Sequence, residues 1–183
     1  MNQRQYWFPK PYADRVAKLR VAAGFIMVAA FLYFSTPTVE SLWIGVPIAI
    51  AGLAVRAWAA GHLEKNMRLA TSGPYAHVRN PLYLGTLTVA VGFAIASRRW
   101  ELALLFAVMF IFVYLPVIEL EEQHLRNLFP EYADYAAHVP VLAPRINANA
   151  SGQFRWAVYR RNEEYQAALG MLAGLAVLIW KVL

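Results

Sequence analysis

The sequence predicts an all-α fold, a multi-pass transmembrane helix bundle, on three observations. Of its 183 residues, 60% are hydrophobic and only 15% are charged, which is more apolar than a water-soluble domain of this length usually is. The apolar residues collect into five runs, each near the roughly 17 to 25 residues that cross a bilayer as a helix. Lysine and arginine concentrate between particular runs, as they do on the cytoplasmic side of membrane proteins.

The five runs indicate one integral membrane domain over 1–183. Residues 1–18 form a polar, aromatic and basic segment that does not begin with an apolar stretch, so it is not a cleavable signal peptide. Spans one to four fall within 19–118, a cytoplasmic segment with amphipathic helices occupies 119–165, and span five occupies 167–183. The separate runs cover 19–35, 42–60, 82–97, 102–118 and 167–183.

Span three is expected to begin at Asn80 and Pro81, because asparagine is a good helix N-cap and proline suits the first helical position. Only "SRRW" separates it from span four, so the two spans form a tight hairpin, with span four ending near Pro116. The cytoplasmic ends of the two helices should therefore be neighbours.

The segment between spans four and five has apolar residues at helical spacing, and Pro130 suits the first position of a new helix. We interpret it as an amphipathic segment on the bundle or the headgroups. The stretch 143–153 is predicted as a loop, and "FRWAVYRRNEEY" leads back to the membrane. The residues that carry the helical spacing are Leu125, Leu128, Phe129, Tyr132, Tyr135 and Val139.

The distribution of Lys and Arg predicts a cytoplasmic N-terminus. Five of the 17 lie within residues 1–20, three in 61–81 and five between Arg126 and Arg161. Arg56 lies near the cytoplasmic end of span two, where it either snorkels, which we favour, or faces the bundle. Only three would then lie outside: Arg98, Arg99 and Lys181.

Two motifs at the paired cytoplasmic ends predict a site for a ligand with both signs of charge. The start of span three directs backbone N–H groups and a positive dipole end toward the rim, which favours an anion. The motif "PVIELEEQHL" places Glu119, Glu121 and Glu122 at the C-terminal end of span four, where the negative end of the helix dipole disfavours acidic groups. A capped interfacial loop and an i,i+4 pair of Glu122 with Arg126 are the structural alternatives.

The stretch "GPYAHVRNPLYLG", followed further along by "EEQHLRNLFPEYADYAAHVP", resembles the paired signature of isoprenylcysteine carboxyl methyltransferases and the related phospholipid methyltransferases. That signature is approximately G-P-Y, R-H-P-x-Y-x-G, then E-E-x-x-L and F-G-x-x-Y-x-x-Y. The resemblance covers roughly 56–145. Asn80 replaces the usual His and Pro130 the usual Gly, so residue 80 is not expected to act as an acid or base.

The resemblance implies an integral membrane methyltransferase that binds S-adenosylmethionine, which carries a carboxylate, an ammonium and a sulfonium. Glu122 is the favoured partner of the cofactor's positive charge, because it shares a helix face with Glu119. The implied catalytic residues are Arg79, Glu121, Glu122 and Arg145. The implied cofactor-binding residues are His62, Lys65, Gly73, Pro74, Tyr75, Arg79, Asn80, Pro81, Tyr83, Gly85, Glu121 and Glu122.

The acceptor is expected to be a lipophilic or lipidated molecule that enters from the membrane, most simply the carboxylate of an isoprenylcysteine-like substrate oriented by an arginine. An ethanolamine-type amine is the alternative, and it requires a base among Glu121, Glu122 and three histidines, His62, His77 and His124. A NADPH-dependent reductase of the same superfamily and a non-catalytic membrane protein are the other hypotheses. No nucleic acid or metal partner is predicted, the oligomeric state is open, and the lack of a G-x-G-x-x-G after a strand excludes a soluble Rossmann-type enzyme.

Overall fold

The structure is a computed structural model that describes residues 7–146 and 150–183, and within these residues it contains helices and no strand. The predicted all-α fold is confirmed. The elements in chain order are α1 Lys10–Phe34, α2 Val39–Ala60, a 3₁₀ turn Gly73–Ala76, α3 Pro81–Ser97, α4 Trp100–Met109, a π-helical turn Phe110–Tyr114, α5 Leu115–Leu128, α6 Tyr132–His138, α7 Trp156–Arg161 and α8 Tyr165–Trp180.

Three helices of the described chain are long and apolar enough to cross a membrane: Lys10–Phe34, Val39–Ala60 and Trp100–Leu128. The third and fifth predicted spans correspond to α3 and α8, which are apolar but shorter, with 17 and 16 residues. At about 1.5 Å per residue, α3 and α8 extend about 24 to 26 Å and match the hydrocarbon core only with local adjustment.

Two helices extend beyond the predicted spans. The first helix begins at Lys10, directly after Pro9, so much of the polar N-terminal segment is helical. The helix of the fourth span continues past Pro116 to Leu128. The π-helical turn explains this, because the bond from Leu115 N–H to the Phe110 carbonyl changes the local pattern where proline has no N–H to give. Helix α6 begins at Tyr132 and not at Pro130.

Helices α2 and α3 pack in backbone contact along most of their length. Gly45 and Gly52 on α2 face Gly92 and Gly85 on α3, two turns apart on each helix. A Cβ on Gly52 would lie 2.6 Å from the Val89 backbone nitrogen, so no larger residue fits without separating the helices. Small residues are the usual means of close helix approach in membranes.

Helix α1 packs mainly against α4 and α5, and its contact with α8 is sparse. Met27 and Phe31 of α1 form a buried cluster with Leu102 and Met109. At the end of the bundle opposite the site, Lys181 Nζ donates to the Tyr33 carbonyl (3.0 Å) and the Ser35 carbonyl (2.9 Å), which joins α8 to the end of α1.

Backbone hydrogen bonds tie the segment before α3 to the segment after α6. Arg79 N–H donates to the Pro140 carbonyl (2.9 Å) and Gly73 N–H to the Ser151 carbonyl (2.9 Å). Both polar segments predicted to be cytoplasmic therefore lie at the same end of the bundle. The predicted loop 143–153 and the N-terminal segment include residues 147–149 and 1–6, which lie outside the described residues.

Candidate functional site

A polar cavity of about 670 Å³ lies where α1, α3, α5 and α8 converge with the segment after α2. Its size falls within the usual range for small-molecule sites. Its wall holds the carboxylates Glu64, Glu121 and Glu164, the cations Arg20, Arg56, Lys65, Arg68 and Arg79, and five tyrosines, Tyr75, Tyr83, Tyr114, Tyr132 and Tyr135.

Glu121 belongs to a three-residue group on three helices. The Tyr83 hydroxyl donates to Glu121 Oε1 (2.8 Å), and Arg20 Nη1 donates to the Tyr83 oxygen (3.0 Å) and to Glu121 Oε1 (3.3 Å). Arg20 thus joins α1 to α3 and α5. Both of the bonds to Glu121 use Oε1, so Oε2 accepts from neither Arg20 nor Tyr83.

Glu122 points away from Glu121 and has structural partners. Its Oε1 accepts from Asn80 Nδ2 (3.0 Å) and lies 3.2 Å from Arg79 Nε. Glu122 therefore contacts Arg79 and Asn80 and does not line the cavity, whereas Glu121 does. Which of the two faces the cofactor stays a prediction. The alternative pair with Arg126 is not formed either, because the Arg126 guanidinium lies over the Tyr132 ring, 5.2 Å from its centroid.

Asn80 precedes α3, as predicted, but its side chain does not cap the helix. It donates to Glu122 and to the Val141 carbonyl (3.4 Å) instead. Arg79 Nη1 donates to the Ala136 carbonyl (3.2 Å). Arg79 and Asn80 thus hold α5 and α6 against the start of α3, although Arg79 also lines the cavity.

A buried ion pair closes the opposite side of the cavity. Arg56 Nε lies 2.5 Å from Glu164 Oε1, and the arginine also contacts the Thr86 hydroxyl and the Leu82 carbonyl. Arg56 therefore faces the bundle, and the favoured expectation that it snorkels is wrong. The pair joins α2 and α3 to the start of α8.

The tyrosine hydroxyls outside the membrane spans stay neutral at ordinary pH. Burial raises the pKa of Tyr75, Tyr132 and Tyr135 well above the usual range, with neighbouring tyrosine or glutamate charge adding to the effect. Tyr135 donates to the Tyr75 carbonyl (2.7 Å). The Tyr132 side chain is almost fully buried beside Glu122, and its hydroxyl makes no well-aligned hydrogen bond within the described residues.

Some predicted cofactor residues shape the site without lining it. Gly73 has φ +58°, and a Cβ there would lie 2.6 Å from His62 Nε2, so glycine is needed for both conformation and space. His62 is buried and its Nδ1–H donates to the Trp58 carbonyl (2.9 Å). Pro74 and Pro81 are buried in the 3₁₀ turn and at the start of α3, and Gly85 packs against α2.

Lys65 and Arg145 lie in different surroundings. Lys65 lines the cavity and makes no ion pair in the part of the chain that the structure describes. Arg145 lies on the surface, donates to the His138 carbonyl (3.2 Å) and does not line the cavity. The structure therefore brings together Lys65, Tyr75, Arg79, Tyr83 and Glu121 of the predicted residues.

Arg20 and Glu164 were not singled out from the sequence as site residues. Arg20 lies at the edge of the first apolar run, where a cation is usually an interfacial residue, and Glu164 lies in a polar stretch before α8. A signal was nonetheless present: Glu164 precedes an apolar helix start, where an acid is favoured, and Arg56 inside span two required a partner.

A family model for phospholipid methyltransferases matches residues 19–132, more than half of the chain. The chain belongs to the phospholipid methyltransferase family. The matched residues include α1 from residue 19 onward, α2, α3, the whole helix Trp100–Leu128 and Tyr132, and therefore most of the cavity wall. Family membership and the apolar helices together make the protein an integral membrane protein of a methyltransferase family.

Two relatives carry names that refer to metal resistance. The chain is 31% identical over 157 residues to the cobalt-zinc-cadmium resistance protein CzcN of Cupriavidus metallidurans. The aligned region covers 79% of this chain and 70% of that relative. It is 35% identical over 106 residues to the nickel-cobalt-cadmium resistance protein NccN of Alcaligenes xylosoxydans xylosoxydans. That aligned region covers 57% of this chain and 48% of the relative. No solved structure matches the chain.

Proposed function

We propose that the protein transfers a methyl group from S-adenosylmethionine to a lipophilic acceptor in the polar cavity. The observation that carries the proposal is the cavity's combination of carboxylates, cations and five tyrosine rings at one end of an apolar bundle. Aromatic faces and carboxylates suit the sulfonium and ammonium of the cofactor, and a cation suits its carboxylate. Family membership supports the same reaction class.

Glu121 is the proposed partner of the cofactor's positive charge, with Tyr83 and Arg20 fixing its position. Lys65, which has no ion-pair partner within residues 7–146 and 150–183, is the proposed partner of a carboxylate. In the transfer, the acceptor's lone pair forms the new bond to carbon as the S–CH₃ bond breaks, and the electron pair of that bond returns to sulfur. The protein's tasks are alignment and the exclusion of water.

The first candidate acceptor is a carboxylate of an isoprenylcysteine-like lipid, which reacts ionised and needs no base. An amine headgroup is the second candidate, favoured by the family description and by the three carboxylates in the wall. An ammonium must lose a proton before it attacks, and Glu121 or Glu164 of the cavity wall is the proposed acceptor. Arg145 is no longer proposed as an orienting cation, because it lies outside the cavity.

The deciding experiment is calorimetric titration of the purified protein in detergent with S-adenosylmethionine and, separately, with NADPH. We expect saturable binding of S-adenosylmethionine and none of NADPH. The opposite result would replace the methyltransferase proposal with the reductase hypothesis, and binding of neither would favour a non-catalytic membrane protein. Methyl transfer to a prenylated cysteine or to phosphatidylethanolamine then separates the two acceptors.

We propose that the cavity faces the cytoplasm, on the Lys and Arg distribution. Cysteines introduced at Ser72 and Ser151 of this cysteine-free chain provide the test, since the two segments are hydrogen-bonded to each other. A membrane-impermeant maleimide should label both only from the cytoplasmic side. Labelling of both from outside would invert the orientation, and labelling from opposite sides would contradict the fold.

The relatives' names suggest a role in metal tolerance, which we propose to be exerted through a methylated membrane component. Among the described residues, no group of three or more His, Cys, Asp or Glu could hold a metal ion. Expression in a cobalt-sensitive bacterium should raise tolerance, and Glu121→Gln should abolish the gain at equal protein level. Full tolerance with that variant would separate the resistance role from methyl transfer.

A further inference from the structure

A second cavity, of about 450 Å³ and almost wholly apolar, lies between α1, α3, α4 and α8. Four residues line both this cavity and the polar one, namely Val21, Gly24, Thr86 and Tyr114. The two cavities therefore adjoin at these four residues, which we call the neck. For a molecule whose polar group occupies the polar cavity, the second cavity is the adjacent apolar space.

The apolar cavity is closed at the end away from the neck. Phe31 and Leu178 line it there and are both nearly fully buried. Beyond them, Lys181 joins α8 to Tyr33 and Ser35. The space is therefore a blind channel that begins at the neck.

The side of the channel between α1 and α8 is open to the bilayer. A Cβ built on Gly24 of α1 or on Gly170 of α8 meets no atom within 4 Å, and contact between the two helices is sparse. At Gly174, further along α8, the Cβ would lie 3.1 Å from Phe93 Cε1, so the channel narrows toward its closed end. A hydrocarbon chain can enter sideways between the helices without crossing water.

The length of the channel sets a limit on that chain. From Val21 to Leu32 on α1, and from Ala167 to Leu178 on α8, the lining residues extend along about 16 Å of helix. An extended peptide advances roughly 1.2 Å per backbone bond, and a hydrocarbon chain of tetrahedral carbons advances similarly. The channel therefore holds about 13 to 14 carbon–carbon bonds in one extended chain.

We propose that this channel binds a single hydrocarbon chain of the acceptor and selects it by length, with Phe31 and Leu178 as the end stop. The proposal rests on the proposed function in one respect, that the polar cavity holds the acceptor's head. The ligand is an amphiphile whose head lies in the polar cavity and whose chain passes the neck. Longer chains must leave through the open side between α1 and α8.

The test measures binding of lysophosphatidylethanolamines with saturated chains of about 8 to about 18 carbons, a range that brackets the channel length. Native mass spectrometry of the protein released from nanodiscs reports occupancy without requiring methyl transfer. Occupancy should rise with each added carbon up to about 14 and then level off. Occupancy that does not depend on chain length would overturn the proposal.

Two variants probe the channel itself. Gly170→Leu adds a side chain in open space near the neck end of the channel, so chains of about 14 carbons should bind at least tenfold more weakly. Phe31→Leu should move the limit to longer chains. The matched control is Ala173→Leu, an exposed residue of the same helix that does not line the channel. Equal loss with Gly170→Leu and Ala173→Leu would contradict the assignment.

The same measurement separates this proposal from the previous one. A headless alkanol of matched length should bind much more weakly, because it leaves the polar cavity empty, and equal binding would make the channel a general lipid groove. Length-dependent binding without any S-adenosylmethionine binding would refute the methyltransferase while the channel stands. Cofactor binding without length dependence would refute the channel alone.

Discussion

The α2–α3 pair and the α1–α8 pair use glycine for opposite purposes. Gly52 and Gly85 bring α2 and α3 so close that a Cβ on either one would lie under 3 Å from the backbone of the other helix. Gly24 and Gly170 face open space between α1 and α8. One pair is a rigid support for the ends that carry the site, and the other leaves a channel beside it. A glycine in a membrane helix therefore indicates a position where the space of a side chain is left free. Only the neighbouring helix shows whether its backbone occupies that space or whether the space stays open.

The largest expected effect comes from filling the tight pair. Gly52→Leu should destabilise the protein by about 3 kcal/mol or more, because neither backbone can move aside. Gly170→Leu should leave unfolding unchanged or slightly improved, since leucine is the better helix former. Thermal unfolding in detergent, followed by circular dichroism, measures both. Similar melting temperatures for the two variants would remove the distinction between the pairs.

The Arg56–Glu164 ion pair connects the two regions, and breaking it is the next largest effect. Arg56→Met leaves the buried Glu164 carboxylate without its partner and should cost about 3 kcal/mol, the low end of the range for such pairs, because Arg56 itself is partly exposed. The double variant Arg56→Met with Glu164→Leu removes both charges and should regain most of that loss. Measured unfolding free energies of the single and double variants give the coupling. A double variant as unstable as the single one would show that the pair contributes by packing alone.

The neighbouring residues Glu121 and Glu122 lie in different surroundings: Glu122 contacts packed residues, and Glu121 lines the open cavity. Glu121→Gln should weaken S-adenosylmethionine binding about ten- to a hundred-fold, because a charge-assisted contact contributes roughly 1.5 to 3 kcal/mol. Glu122→Gln should instead lower stability by a similar amount through its bonds to Arg79 and Asn80, with cofactor affinity nearly intact. Calorimetry and thermal unfolding on both variants separate the two outcomes. A binding loss confined to Glu122→Gln would restore the expectation from the sequence.

The smallest effects concern two buried tyrosines. Tyr135→Phe loses a hydrogen bond to the Tyr75 carbonyl and should cost about 1 kcal/mol, whereas Tyr132→Phe removes a hydroxyl without a well-aligned partner and should cost almost nothing. Because burial raises the pKa of both groups above the unfolded value of about 10, the unfolded chain loses protons first, and stability is retained below about pH 10 and lost above it. Alkaline unfolding curves should shift to higher pH in both variants. An unchanged curve would mean that neither tyrosine resists ionisation in the fold.

The sequence was sufficient for the helical class and for the neighbourhood of the two motifs, because apolar run length and the short "SRRW" connection determine both. It was not sufficient to assign the roles of single residues. Asparagine is a residue type that commonly caps helices, yet the Asn80 side chain donates a hydrogen bond to Glu122. That carboxylate belongs to a helix further along the chain, so the contact is not visible in the local sequence. Arg20 and Glu164 come from the first and last helices, and no local pattern relates them to the motifs that they adjoin.

The preference for Glu122 over Glu121 depended on the face that Glu122 shares with Glu119. The Glu119 carboxylate accepts from the Trp7 and Phe8 N–H groups and does not line the cavity, so that face is not the cavity face. The contact joins residues more than 100 positions apart, and no helical count within α5 could predict it. The sparse contact between α1 and α8 could not be predicted from the sequence either, because apolar runs look alike whether they face protein or lipid.

The π-helical turn also bears on the history of this helix. A turn with one surplus residue is what a single inserted codon leaves behind when the helix on both sides keeps its contacts. Relatives in which that codon is missing should be one residue shorter between 110 and 114 and should still present the first glutamate of their pair to the ligand. Length variation at this turn is therefore neutral for the acidic pair, whereas an insertion between the turn and Glu121 would turn Glu121 into the direction of Glu122 and leave neither glutamate facing the cavity.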